Sequence, residues 1–170
     1  MNSLMWKGGE MSQRNAFTYD KALDKAYDLA RGYEQYEHAH CKQVTVLALQ
    51  IFEDMGKLPL SVDASYYSNE NHFLLHCGAI LHDIGYANGV LGHHKTAMQM
   101  ILEDHTLDLD ERMRKITALV ARYHRGALPK QSHEIFAGLS KSDQDLVCFL
   151  AGIVRIADGL DRSHTSAVAG

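Results

Sequence analysis

Proline is scarce in this 170-residue chain, which holds only Pro59 and Pro129. Few prolines leave room for long helices, because little removes a backbone donor from their interior. Cysteine is scarce as well: Cys41, Cys77 and Cys148, an odd number with no CxxC pair. That excludes a disulfide framework and a zinc ribbon, and it points to reduced thiols in a cytoplasmic protein. No apolar run approaches the ~20 residues of a membrane span. Residues 1–12 carry Lys7 and Glu10 around no apolar core, so they read as neither signal peptide nor anchor. The net charge of −4 has no basic excess. Neither specific nucleic-acid binding nor a membrane is therefore expected. Sustained alternation with hairpin turns is missing too, as are internal repeats.

Helical periodicity fills the chain instead. Residues 17–32 place Phe17, Leu23, Ala26, Tyr27 and Leu29 between charges, with Gly32 as the stop. From His40 to Met55, Val44, Leu47, Ala48, Ile51 and Phe52 recur at helical spacing. Gly56 follows where a left-handed terminal residue belongs, and residues 57–68 read as a loop. Asn69 is the expected cap of a helix through Phe73, Leu74, Cys77, Ile80 and Leu81. Gly78 within it implies close approach of another helix. That helix should end near His82-Asp83, because Gly85, Gly89 and Gly92 crowd the next residues. Helices are expected again over 93–103 and about 108–124. A connector then spans 126–140, with one turn near Ile135-Phe136. Ser142-x-x-Asp145 opens a last long helix. The predicted fold is all-α: six or seven helices round one core, over residues 16–165, between tails 1–15 and 166–170.

The chemistry centres on His82-Asp83. With 11 His and 13 Asp, chance alone supplies about one such dipeptide. It gains meaning from His40 upstream and Asp158 downstream, both on segments that read as core helices. Consecutive helical residues point about 100° apart. At a helix end they can straddle an ion. Imidazole and carboxylate donors without thiolate suit Mn²⁺, Fe²⁺, Zn²⁺ or Co²⁺, with Mg²⁺ and Ni²⁺ completing the candidates, as one ion or two. Such an ion acidifies a bound water near neutral pH. Asp158 lies in the apolar stretch around Ile156-Ala157, where a carboxylate needs a cation, either a metal or a nearby Arg.

Two further clusters suit the same pocket. His93-His94-Lys95 opens a helix after a Gly-rich loop, where the helix N-terminus and Lys95 favour a phosphate. Arg122-Tyr123-His124-Arg125 closes another. His124 is a second metal ligand or a general acid there, and Arg122 and Arg125 are forks for phosphate oxygens. The same cations also suit a helix C-terminus with no ligand at all. His38, His72, His76, His105, His133 and His164 have no matched partner and read as surface or packing residues. Arg112 to Lys115, beside Asp110 and Glu111, read as a solvated face.

His40, His82-Asp83 and Asp158 together resemble the signature of the HD superfamily of metal-dependent phosphohydrolases. Longer blocks resemble the HD-type C-terminal module of the exopolyphosphatase/guanosine pentaphosphate phosphatase (Ppx/GppA) family. They are His40-Cys41-Lys42-Gln43-Val44, Ala79 to Gly85, Arg122 to Arg125, and Arg155 to His164. The resemblance implies an HD-like bundle round a central metal site held by His40, His82, Asp83 and Asp158. In binuclear members further His ligands join, and His94 and His124 are the matching candidates, His93 less so. The family's actin-like phosphatase domain is not among these residues, so exopolyphosphatase activity does not transfer.

The expected function is hydrolysis of a small phosphorylated substrate, nucleotide-like or polyphosphate-related, by a metal-activated water, with Asp83 and His124 in catalytic roles. Lys95, Arg122 and Arg125 would hold the phosphate. The alternative is a non-catalytic module that binds a nucleotide or polyphosphate. Such a module would be regulatory; under either reading the expected protein partner is a second copy of the chain or a separately encoded phosphatase domain.

Overall fold

The computed structural model describes residues 13–33, 38–59 and 63–162. Within them lie seven α-helices and no strand. They are α1 (Gln13–Arg31), α2 (His38–Lys57), α3 (Asn69–Leu81), α4 (His93–Glu103), α5 (Glu111–Tyr123), α6 (Glu134–Ala137) and α7 (Lys141–Leu160). Two 3₁₀ turns, Ala64–Tyr67 and Ile84–Asn88, flank α3. The all-α bundle is as the periodicity predicts. Helix α1 begins inside the expected N-terminal tail, since Gln13-Arg14-Asn15 contains no breaker. The rest of both tails, with Ser163 and His164, falls outside the described residues.

Helix α3 is the hub. Its sequence from Phe73 to Leu81 is apolar almost all round, and such a helix must be enclosed by others. It is packed by α1, α2, α5 and α7, while α4 lies on α5 and on the turn 84–88. Leu74, Leu75, Ile80 and Leu81 are fully buried within this shell. Gly78 does mark the predicted close approach: a Cβ there would lie 2.5 Å from Val120 Cγ1 on α5.

Several local expectations are corrected. Ser68, not Asn69, caps α3, its hydroxyl accepting from the Asn71 amide at 3.1 Å. Ser140, not Ser142, caps α7, accepting from the Asp143 amide at 3.1 Å. In both cases a serine just upstream has the extended backbone a cap requires. Gly56 does not end α2 in a left-handed conformation; α2 runs on to Lys57. Its missing Cβ instead admits the Tyr67 ring, which a methyl would approach to 3.1 Å. Arg112 is more than a solvated face. Its guanidinium meets Glu70 at 2.6 Å and Asp143 at 2.7 Å, joining the starts of α3, α5 and α7.

The turn 84–88 is wedged against α4 at Gly85. An added Cβ would fall 1.9 Å from the His93 carbonyl oxygen and 2.6 Å from the Ala97 amide nitrogen. Those are backbone atoms and cannot swing aside. Gly85→Ala should therefore destabilise the protein by about 3 kcal/mol or more, and more than Gly78→Ala, where only a side chain must give. Urea denaturation of the two variants checks the order.

Candidate metal centre

Five helix ends meet at one point. α2 brings His40 in its first turn, α3 runs out through His82 into Asp83, and α4 opens on His93. α5 ends at His124, and α7 brings Asp158 in its last turn and Asp161 as its terminal cap. Three of the five ends are C-termini, whose dipoles favour a positive charge between them. His82 and His124 occupy equivalent places beyond α3 and α5. Each donates Nδ1–H to the carbonyl three residues back, Ala79 and Ala121, at 2.7 Å. Those last-turn carbonyls lack helical donors, so the imidazoles satisfy them.

Asp83 sits between two sets of donors. Its Oδ2 lies 3.3 Å from His82 Nε2 and 3.8 Å from His40 Nε2. Asp158 Oδ1 closes that set at 3.2 Å from His40 Nε2 and 4.0 Å from His82 Nε2. The other oxygen, Oδ1, lies 3.2 Å from His93 Nε2 and 3.4 Å from His124 Nε2. Every residue of the cluster is 5 % exposed or less except Asp158, whose side chain is 18 % exposed.

The outer contacts decide the chemistry of the inner atoms. His93 donates Nδ1–H to the Val90 carbonyl at 3.0 Å, as His82 and His124 do to theirs. A carbonyl can only accept, so Nδ1 carries the proton in all three, and Nε2 of the neutral ring presents a lone pair. His40 Nδ1 instead meets the buried carboxylate of Asp161 at 2.9 Å. Nε2 of His82, His93 and His124 and Oδ1 of Asp83 are shut off from solvent without a hydrogen-bond partner. Converging lone pairs in a dry site are costly unless a cation occupies the space between them. Imidazoles held by outer acceptors are how proteins orient metal ligands. The residues thus fit one divalent ion at His40–His82–Asp83–Asp158 and a second at Asp83–His93–His124. Ligand atoms of the triads His40–His82–Asp83 and Asp83–His93–His124 fall within 4.8 Å of one another.

Without an ion, protons answer the same field. Burial opposes charging His40, but hydrogen bonds to Asp158 and Asp161 and the charge of Asp83 outweigh it, raising its pKa to about 9. His82 is raised despite full burial, chiefly by Asp83. Burial also works against ionised Asp83, yet the facing imidazoles hold it well below the usual carboxylate range. Burial and the charge of His82 push His124 the other way, keeping it neutral.

Among the predicted site residues, His40, His82, Asp83, His124 and Asp158 converge. His94 does not. Its ring stands 5.5 Å from that of His93 and 6.3 Å from that of His124, and His93 takes the inward place. Neighbours in a first helical turn point apart, and Tyr86, stacked on His93 at 4.0 Å, fixes which one faces in. His94 lies instead among the cations. Burial, then Arg122, His93, Lys95 and Arg125, lower its pKa to about 4. The three residues predicted to hold phosphate thus share one corner. Arg122 is buried there, Arg125 is half-buried, and Lys95 is exposed. The histidines set aside do lie elsewhere where described: His76 bonds Tyr27 at 3.1 Å and His133 bonds Tyr123 at 2.7 Å. Sequence reasoning missed Asp161, although its i+3 spacing from Asp158 signals a shared face. It also missed Arg155, which donates to the Gly126 carbonyl at 2.9 Å beyond α5.

No helix among the described residues is long and apolar enough to cross a membrane. No curated protein matches the chain. Comparison with known families matches residues 26–169 to "Ppx/GppA phosphatase, domain III". That span contains every residue of the cluster, and with it the chain belongs to the Ppx/GppA phosphatase family, as a representative of its domain III.

Proposed function

We propose that the chain is a metal-dependent phosphohydrolase acting on a phosphate ester or anhydride. One observation carries this reading: buried, unpartnered imidazole nitrogens converge on the two oxygens of a single carboxylate. Divalent ions held there would supply Lewis acidity toward a phosphoryl oxygen and make a water acidic enough to ionise near neutral pH. The chain's own part is positional. Asp83 presents one oxygen to each donor set, and Asp161 keeps the His40 ring turned inward. His124 suits a ligand better than a proton donor, because its Nδ1–H is committed to Ala121 and burial keeps its ring neutral. Lys95, Arg122 and Arg125 offer positive charge to the non-bridging oxygens of the substrate. Asp158, the most exposed member of the cluster, is where substrate would enter.

A second reading has its own support. The family match is to one domain of a phosphatase family, which fits a module that binds a nucleotide or polyphosphate without turning it over, alone, as a dimer or against a separate phosphatase domain. The two readings part on turnover. Purified protein should bind Mn²⁺ or Co²⁺ and cleave members of a panel of nucleotides and phosphoesters. Asp83→Asn should weaken metal binding by roughly 100-fold or more and abolish cleavage, since even outer-shell changes cost about 10–100-fold. Calorimetry and metal analysis read the first, and released phosphate reads the second. A protein that takes up no metal and cleaves nothing sinks the enzyme; tight nucleotide binding by such a protein supports the binding module.

The metal-free protein carries a further signature. A histidine raised to about 9 in the fold and near 6.5 unfolded stabilises fully below about pH 6.5. That contribution is lost as pH rises through about 9. Thermal stability of the metal-free protein should fall across this window, and the fall should be smaller in His40→Gln. Melting curves at stepped pH after chelation test it.

A further inference from the structure

Arg122 is an anomaly in the fold. It is 9 % exposed, Nη1 is shut off from solvent, and the guanidinium makes no hydrogen bond or ion pair among the described residues. Its guanidinium carbon lies 5.4 Å from the centroid of the Tyr123 ring, and its charge acts on His94. Nearby, His94 Nδ1 is also buried without a partner, while its other face abuts Gly126. A buried guanidinium without a counter-charge is destabilising. Two unclaimed polar nitrogens in one corner therefore point to an anion that both would contact. Their corner adjoins His93 and His124 rather than His40, as the ring distances of 5.5 and 6.3 Å to His94 show.

The two donor sets are unequal in a way that bears on this corner. The set at His40 has four protein donors, two of them carboxylates, and Asp161 strengthens His40 from behind. The set at His93 and His124 has three donors, shares its one carboxylate with the other set, and is backed by neutral carbonyls. Two divalent ions bring four positive charges, and Asp83, Asp158 and Asp161 return three, two of them on the His40 side alone. Arg122 and Lys95 add more positive charge on the weaker side. Electrostatics then disfavours the second ion until an anion joins it.

We propose that the Asp83–His93–His124 position is the weaker of the two and fills cooperatively with a phosphate-type oxyanion held by Arg122 and His94. This rests on the metal-dependent reading above. The linkage is reciprocal: phosphate tightens the second ion by the same factor as the second ion tightens phosphate. The arrangement would also ensure that the full complement of ions assembles only around a phosphorylated ligand.

The test is titration of the metal-free full chain with Mn²⁺, followed by calorimetry and electron paramagnetic resonance, with and without inorganic phosphate. One ion should bind independently of phosphate. A second should bind at least about 10-fold more weakly and be tightened about 10-fold by phosphate, within the usual range of site-to-site coupling. In Arg122→Met the phosphate effect should vanish, the first ion should bind unchanged, and the melting temperature of the ligand-free protein should not fall. A merely structural arginine would lower it. Two ions of equal affinity, a second ion indifferent to phosphate, or coupling retained in Arg122→Met overturns the proposal while leaving metal-dependent hydrolysis standing. Failure to bind any Mn²⁺ overturns both.

Discussion

The carboxylate of Asp83 is the constraint on which the rest of the site depends. It is buried between imidazoles on both sides, 3.2 to 3.8 Å from four of them. A charge in that position is tolerated only because each neighbour is itself held from outside. Ala79, Val90 and Ala121 carbonyls and the Asp161 carboxylate take the four Nδ1 atoms. The inner nitrogens are thereby committed to the centre. Remove the outer acceptors and the rings are free to rotate, and the central carboxylate loses its compensation.

The fold serves that arrangement through α3. A helix apolar on nearly every face has to be enclosed, and enclosing it gathers α2, α5 and α7 around its C-terminal end. The gathered ends are then available as ligand platforms. Gly78 lets α5 approach closely enough to bring His124 beside His82, with ring centroids 4.8 Å apart. Gly85 does the same for α4, pressing the turn after Asp83 against the backbone of His93. Two residues without side chains thus set the spacing of the histidines. The opposite end of the bundle is held by ordinary means, a serine cap on α3, another on α7, and an Arg112 link between their starts.

The site is also electrically lopsided. On the His40 side the second carboxylate is Asp158, and Asp161 adds a third behind the ring. On the His124 side the neighbours are Arg122, Arg125 and Lys95, whose charges converge on His94. One half of the cluster is thus rich in carboxylates and the other in cations. A phosphate bound across such a gradient would have its orientation set by charge before any specific contact is made.

Much of this was legible in the order of residues. Apolar spacing determined the helices, and glycine clusters determined where α3 ends and α4 begins, because periodicity and chain breaking are local properties. The set His40, His82, Asp83, His124 and Asp158 could be picked out because a helix end is where neighbouring side chains can flank one point. The choice between His93 and His94 was beyond the sequence. They are adjacent, of the same type and in the same helical turn, and only the packing of Tyr86 and Gly85 against α4 turns one inward. The role of Asp161 likewise needed α2 and α7 side by side, since a carboxylate 121 positions from His40 has no local signal linking the two. Arg122 shows the same divide. Its charge was plain in the sequence, but its burial without a partner is a property of the packed bundle, where desolvation is decided by what surrounds a side chain.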